Sequence, residues 1–468
     1  MTAPLHDRRR GTSGAGLPDT QRGMRRRNLS RVMHAVATHG PLSRAAVASR
    51  IGLTRAAVST LVDELIRSGL LDELGPERPG RVGRPGSALA VSAMGPVGIG
   101  AEVGVDHLAV CAVDLRGEIR ARAGRRSANR DRSPAPVLRE LAALVRQVCA
   151  EAQQQGLVPA GLAVAVPGLV ARETTTVVRA PNLGWHDIDL SRLLPVDLPL
   201  TVDNEANFGA LAELWLGNES PEDFLHVSAE IGIGAALVVE GRLLRGTRGF
   251  AGELGHVPVR PDGPACPCGG RGCLEQYAGE GAVLRAAGLG AGGLGGEGDL
   301  GGAGGAGGSG GAGGTSGSGG AEGVGDSGGS GGSGGSSGSG ASGRSVEVRG
   351  EVLAERAAAG DERVRRALSE AGTALGIALT GAVNLLDPQA VVLGGALSRL
   401  APWLLPALEQ ELSERTAGRA CGVTASGLGP DGPLLGAAHS VARAVLDDPA
   451  GVGAGGTPSG GGQSARRA

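Results

Sequence analysis

The stretch GHVPVRPDGPACPCGGRGCLEQYAG, residues 255–279, sets His256, Cys266, Cys268 and Cys273 within eighteen residues. One imidazole and three thiols form the donor set of a tetrahedral structural zinc site. Gly269, Gly270 and Gly272 separate the thiols and let a short loop turn them onto one ion. Four protein ligands leave no open position for water, so a Zn2+ ion here is expected to shape the fold rather than perform chemistry. Disulfides are the competing reading of such a dense cluster. Only six cysteines occur in 468 residues, however, and Cys111, Cys149 and Cys421 stand singly in apolar segments. The Arg-rich N-terminus carries no apolar run of a signal peptide, which points to a cytoplasmic, reducing setting. Glu253, His256 and Glu275 bracket the cluster with polar groups that a small ligand could use.

Away from this loop the composition is uneven. The length suggests two or three domains. The formal net charge is only −2, yet Arg8, Arg9, Arg10, Arg22, Arg25, Arg26, Arg27 and Arg31 crowd the first thirty-odd residues. Residues 1–27 therefore read as a flexible basic arm. Residues 288–343 are mostly Gly, Ser and Ala and cannot bury enough surface to offset their ordering entropy, so a flexible insertion is expected there. The tail at 450–468 reads the same way. No run of about 18 apolar residues exists, so nothing is predicted to span a membrane.

Residues 28–93 carry the signature of a winged helix-turn-helix. Leu29, Val32, Met33 and Val36 recur at helical spacing, and Gly40-Pro41 ends that helix. Ser43 can cap a second helix with Val47 and Ile51 inward; Gly52 makes the turn, and Thr54 caps a third helix. The third buries Val58, Leu61, Val62, Leu65 and Ile66, leaving Thr54, Arg55, Ser59 and Thr60 to face a DNA major groove. Arg81 and Arg84 lie in a Gly/Pro-rich turn that reads as the wing, with guanidiniums for phosphates or the minor groove. Double-stranded DNA is the expected partner.

From Val97 the pattern becomes α/β. Val97–Val103 and Leu108–Val113 read as a hairpin and Asp114–Gly117 as the turn into a third strand. A helix at 135–155 and the buried strand Leu162–Val166 follow. A second hairpin is expected over Leu225–Val239 with its turn at Glu240-Gly241, then a long helix around 361–385 and the strand Ala390–Leu393. Hairpins followed by helices, twice, imply two similar α/β lobes around a cleft.

Six motifs make the resemblance specific: PGLV at 167–170, APNLGW at 180–185, VDNEAN at 202–207, the GFAGELGH run ending at His256, CPCGGRGCLE at 266–275 and VVLGGAL at 391–397. With them the chain resembles the ROK family (repressors, open reading frames and sugar kinases), over most of 28–445 apart from the Gly-rich insertion. The resemblance implies an actin-like, hexokinase-like two-lobed body, here 96–287 and 344–449, behind the winged helix, as in the xylose- and N-acetylglucosamine-type repressors. It implies that Asn204, Glu253, His256 and Glu275 contact sugar hydroxyls and that Glu205 sits near the reacting hydroxyl. His256 could then bind zinc with one nitrogen and face the sugar with the other.

Kinases of this family carry N-D-A-N, whose Asp is the general base, whereas this chain reads Asn204-Glu205-Ala206-Asn207. The added methylene moves the carboxylate by about 1 Å, a displacement that can cost ~100-fold in rate. Their phosphate loop D-x-G-G-T is here Glu102-Val103-Gly104-Val105-Asp106, and the turn G-T-G-I-G is here Glu230-Ile231-Gly232-Ile233-Gly234. Added acids disfavour a polyanion. The expectation is a non-enzymatic transcriptional regulator, probed by a small sugar or sugar phosphate and assembled as a homodimer or homotetramer. An active sugar kinase carrying a DNA-binding head is the alternative.

Overall fold

The structure is a computed structural model that describes residues 21–76, 87–217, 221–229, 232–289, 346–418 and 421–451. The chain opens with α1 (Gln21–His39), the two-residue β1 (Leu42–Ser43), α2 (Arg44–Ile51), α3 (Arg55–Arg67), β2 (Leu71–Pro76) and β3 (Ser87–Val91). Ser43 caps α2 by accepting from the Ala46 amide at 3.2 Å, and Thr54 caps α3 by accepting from Ala57 at 3.3 Å. Between them Gly52 takes a left-handed conformation with φ 69°, a shape that suits glycine. The strands order β1-β3-β2, giving three helices and a small antiparallel sheet around Leu29, Val32, Met33, Val47, Val58, Val62 and Leu65.

The first lobe runs β4 (Pro96–Val103), β5 (His107–Asp114), β6 (Ile119–Arg126), α4 (Pro134–Gln154) and β7 (Val158–Val166). The short strands β8 (Leu169–Val170), β9 (Thr176–Ala180) and β10 (Trp185–Asp189) follow, then α5 (Leu190–Leu193), β11 (Leu200–Asn204) and α6 (Glu205–Leu216). Its sheet has the order β6-β5-β4-β7-β11, with β4 antiparallel to β5 and parallel to β7.

The second lobe repeats the plan with β12 (Phe224–Ala229), β13 (Ile233–Val239) and β14 (Arg242–Leu244). Then come α7 (Glu275–Ala278), α8 (Glu280–Ala286), α9 (Val346–Ala358), α10 (Glu362–Leu386), β15 (Ala390–Gly395), α11 (Ala396–Arg415), β16 (Gly422–Ala425) and α12 (Gly432–Asp447). Its order, β14-β13-β12-β15-β16, matches the first strand for strand, including the antiparallel and parallel neighbours of the first hairpin strand. Two copies of one topology give the expected two-lobed α/β body. The chain turns from one strand to the next helix at the carboxyl ends of the parallel strands, where open α/β sheets bind ligands.

Helix α12 ties the molecule together. Strand β4 alternates Val97, Ile99 and Ala101 against α4 with Gly98 and Gly100 on the opposite face. A Cβ on either glycine would strike the α12 backbone at Ala438, so the helix lies directly on the strand. Gly436 lets α12 approach α6 as closely, since a Cβ there would collide with the Phe208 carbonyl oxygen. The far end of α12 enters the core of the head through Ala442, Val445 and Leu446. Ion pairs from His34 to Asp447 (2.6 Å) and from Arg26 to Asp448 (2.9 Å) border that contact. Exposed pairs of this kind contribute ~0–1 kcal/mol each, so the apolar contact dominates. Arg116 and Arg120 hold the connection between head and body by donating to the carbonyls of Val91 (2.6 Å) and Ala93 (2.8 Å).

Several expectations need correction. The basic arm stops short of residue 27, because α1 begins at Gln21 and takes in Arg22, Arg25, Arg26 and Arg27. Arginine is a good helix former, and Arg25 and Arg26 meet Glu64 and Asp448. The turn of the second hairpin falls between Ala229 and Ile233, while Glu240-Gly241 joins β13 to β14. Leu289, assigned to the insertion, is buried in the second lobe. Residues 290–345 and 452–468 lie outside the described residues.

Overpacking the α6–α12 contact tests this account. Gly436→Ala is expected to cost about 1–3 kcal/mol, whereas Gly422→Ala, with open space around it, leaves stability nearly unchanged. Thermal unfolding of both variants checks the difference.

Candidate functional site

A cavity of about 380 Å3 opens where the two lobes meet, lined by β7–β9 and α6 on one side and by β13 and the Cys-containing loop on the other. That volume lies within the range of small-ligand pockets, ~300–1,000 Å3. Asn204, Glu205, Glu253, His256 and Glu275 all line it. The strand-to-helix turn at β11–α6 places the first two. The Asn204 side chain accepts from the Ala206 amide at 2.8 Å, capping α6, and donates to the Gly168 carbonyl at 2.9 Å. Its neighbour Asp203 is buried, accepts from Asn207 at 2.7 Å and is ion-paired with Arg245 of the second lobe. Asn204 thus has structural duties before any ligand arrives.

Glu205 faces the cavity but is otherwise enclosed by protein. Desolvation first, then repulsion from Glu102, pushes its carboxyl up to about 8; His107 opposes the shift and Glu275 adds to it. At neutral pH it keeps its proton and can donate as well as accept. Glu253 is also raised, chiefly by burial, with His256 acting in the opposite sense and Glu275 reinforcing the shift. Glu275 is the first residue of α7, and one of its oxygens lies 3.4 Å from the Ile233 amide.

The Cys-containing loop is a miniature hairpin. Bridges pair Pro258 with Cys273 and Ala265 with Arg271, and the Cys266 amide donates to the Gly270 carbonyl at 2.9 Å. Gly272 sits at φ 64° where a Cβ would collide with the Arg260 carbonyl, so the tight return requires glycine there. The loop brings one ligand atom each from His256, Cys266, Cys268 and Cys273 within 4.8 Å of one another. Cys268 and Cys273 sulfurs are 3.7 Å apart, and Cys266 Sγ is 3.8 Å from His256 Nδ1. Two thiolates at ~2.3 Å from a tetrahedral ion stand about 3.8 Å apart, so the spacing suits a metal of zinc size. The Gly270 amide donates to Cys268 Sγ at 3.4 Å and, as the leading cause, lowers that thiol, favouring thiolate. His256 turns Nδ1 towards the thiols and Nε2 towards Glu253, 3.9 Å from its Oε2.

The cavity also contains residues that sequence reasoning did not single out. Asn182, Asn207, Arg130 and Arg179 line it. Asn182 and Asn207 sat inside quoted motifs, so that signal was present. Arg179 carried none: its place follows from β8–β9 pairing opposite Leu169, and it donates to the Pro267 carbonyl at 3.2 Å. In the head, Thr54, Arg55 and Thr60 are exposed and Ser59 is half-buried at the start of α3. Thr54 is occupied as the cap, and Thr60 donates to the Ala56 carbonyl at 3.3 Å. Arg81 and Arg84 lie outside the described residues.

A duplicated sheet topology with a polar interlobe cavity defines a sugar-kinase-like body, joined here to a winged-helix head. The ROK family model matches residues 98–444, and the chain belongs to the ROK family. The MarR family model matches residues 27–82. The xylose repressor of Caldicellulosiruptor bescii is 34% identical over 257 residues, covering 54% of this chain and 64% of that protein, a little under two thirds of its length. The xylose repressor of Bacillus subtilis is 26% identical over 426 residues, covering 90% of this chain and 96% of that one. In fold, the chain is similar to a ROK family transcriptional regulator described as a homolog of the E. coli MLC protein, with TM-score 0.67 and 22% identity, covering 91% of this chain and 97% of that one. Among the described residues, no helix is long and apolar enough to cross a membrane.

The Glu205 environment predicts a pH dependence. An unfolded glutamate ionises near about 4.3, and Glu205 in the folded chain near about 8. Between those values the folded state holds a proton that the unfolded state has released, so stability falls as pH rises through the window. Glu205→Gln removes that loss: its stability relative to the parent grows from pH 5 to pH 8 in denaturant titrations. A pH-independent difference would refute the assignment.

Proposed function

We propose that this chain is a sugar-responsive transcriptional repressor that binds an operator through its winged helix and a small sugar or sugar phosphate through the interlobe cavity. The observation that carries the reading is the continuity from cavity to head: Asn204 and Glu205 begin α6, α6 packs on α12, and α12 enters the core of the head. A ligand that favours one arrangement of α6 biases the head through these contacts. The names of the xylose repressors and the match of the head to the MarR family support the same reading.

In this proposal Arg55, Ser59 and Thr60 reach base edges, Thr54 positions α3, and Arg81 and Arg84 meet phosphates or the minor groove. Asn204, Glu205, Glu253, His256 and Glu275 supply the mixed donors and acceptors that a polyol requires. Zn2+ is the metal proposed for His256, Cys266, Cys268 and Cys273. When bound it would fix the loop from His256 to Cys273, two residues before Glu275 at the start of α7. The chain does not phosphorylate its sugar, since Glu205 stands where kinases of the family have Asp. Assembly as a homodimer or homotetramer would present two α3 helices to half-sites ~34 Å apart, where a small rotation breaks register.

Operator binding measured at fixed salt against a sugar panel tests the whole reading. One sugar is expected to weaken operator affinity about 5- to 150-fold, and ATP with that sugar should give no turnover above background. An operator affinity indifferent to every sugar, or clear phosphorylation, overturns it. For the metal, one zinc per chain is expected by elemental analysis. Cys266→Ser should lose it together with the sugar response, and a full response without metal would remove zinc from the proposal.

A further inference from the structure

Two arginines line the interlobe cavity, Arg130 and Arg179, and neither makes an ion pair among the described residues. Arginines close to them in the chain behave otherwise: Arg125 and Arg132 pair with Glu140, Arg172 with Glu173 and Arg192 with Asp189. Both are held by their backbones. Before Arg130, buried Asn129 donates from its side chain to the Gly104 carbonyl at 2.8 Å and from its amide to the Val105 carbonyl at 2.7 Å. After it, Asp131 lies so close to Gly184 that a Cβ there would strike it, and the Trp185 indole donates to the Arg132 carbonyl at 2.9 Å. The loop carrying Arg130 is thus fastened to the loop that follows Arg179. Arg179 itself lies against Gly168, where a Cβ would strike the Arg179 carbonyl, and the Gly168 carbonyl accepts from Asn204 at 2.9 Å. The Arg179 guanidinium crosses from β9 to the Cys-containing loop and donates to the Pro267 carbonyl at 3.2 Å. Its Nε is buried and has no hydrogen-bond partner among the described residues. One hydrogen bond leaves most of a guanidinium's donors unmet, and a buried donor without an acceptor is unfavourable.

We propose that Arg130 and Arg179 form an anion subsite in the interlobe cavity, so that the effector of this chain is a sugar bearing a carboxylate or a phosphate. This rests on the reading of the cavity as a sugar pocket. The planar guanidinium fork matches the oxygens of either group. In a partly enclosed cavity the attraction is screened less than in water. An anionic oxygen at Arg179 supplies the acceptor that its Nε lacks, and Arg130, which is exposed, adds a second positive charge at the mouth. A neutral sugar leaves both charges unanswered. The acids of the cavity do not take that role. Glu205 keeps its proton at neutral pH and meets a ligand as donor and acceptor, and Glu275 turns one oxygen to the Ile233 amide at 3.4 Å. The ring hydroxyls are left to Asn204 and Glu205, and the charged substituent to the arginines.

Calorimetric titration of the full chain tests this with sugars that share one ring and differ in the substituent on its last carbon. One set is D-xylose, D-glucose, D-glucuronate and D-glucose 6-phosphate; the other is L-arabinose, D-galactose, D-galacturonate and D-galactose 6-phosphate. In at least one set an anionic member should bind about 10-fold or more tightly than the neutral members, the scale of one charge-assisted hydrogen bond. The tighter of the two anions tells carboxylate from phosphate. Arg179→Met should narrow the ratio of anionic to neutral affinity several-fold, and Arg130→Met should narrow it less. If Arg179→Met does not fold, Arg130→Met, at an exposed position, carries the same test. A neutral sugar binding as tightly as its acid and its phosphate overturns the inference while leaving the sugar pocket standing. An anion preference untouched by the substitutions overturns the assignment to these arginines. Binding of no member of either set overturns the sugar pocket, and the inference with it.

Discussion

The contact of α12 with β4 and α6 is the constraint on which the remaining architecture depends. It is made backbone against backbone, because Gly98 and Gly100 on the strand and Gly436 on the helix leave no side chains between them. Contacts this close have no slack: interiors pack near crystal density, and displacement of one element is felt by its neighbours. The same helix contributes Leu434 and Ala438 to a cluster with Cys111 and Val113, Ala437 to one with Phe208 and Leu211, and Val445 to the core of the head. A helix belonging to three cores at once cannot move for one of them alone. That property suits a body whose cavity is to be read by a distant head.

The cavity has a polar asymmetry that follows from where its walls come from. One end is built by the turn after β11 and the start of α6, which bring Asn204, Glu205 and Asn207 to it. The other is built by the Cys-containing loop, which brings His256 and Glu253, with Glu275 at the head of α7. Buried Asp203 pairs with the partly exposed Arg245 across the two lobes beside the cavity. Removing Arg245 would leave the buried Asp203 carboxylate without its counter-charge, which is the costly direction of change at such a pair.

Much of this was legible in the residues themselves. The caps Ser43 and Thr54, the turn at Gly52 and the inward positions of α1 and α3 follow from local rules, because helix ends and helical periodicity are decided within a few residues. The four metal-ligating residues were legible for the same reason: they share one short loop. Glu253, His256 and Glu275 were legible beside the cluster as groups a small ligand could use, whereas Asn204 and Glu205 came in only through the motifs, since no local rule describes how β11 and α6 meet that loop. Arg179 was missed because a lone arginine in a strand carries no signal of its own. The basic run at 22–27 was misread because its helix is supported by Glu64 and Asp448, 39 and 422 residues distant from Arg25 and Arg26 respectively.

By itself, the sequence determined the winged-helix head, the alternation of Gly98 and Gly100 with Val97 and Ile99, the Cys/His donor set and the two-fold recurrence of hairpin and helix. Each is written in residues close enough along the chain to act on one another directly. Only the tertiary structure decided that α12 lies on those glycines, that its end completes the core of the head, and that Arg179 meets the Cys-containing loop. These depend on contacts between segments up to hundreds of residues apart, whose free energy arises only when the whole chain has packed.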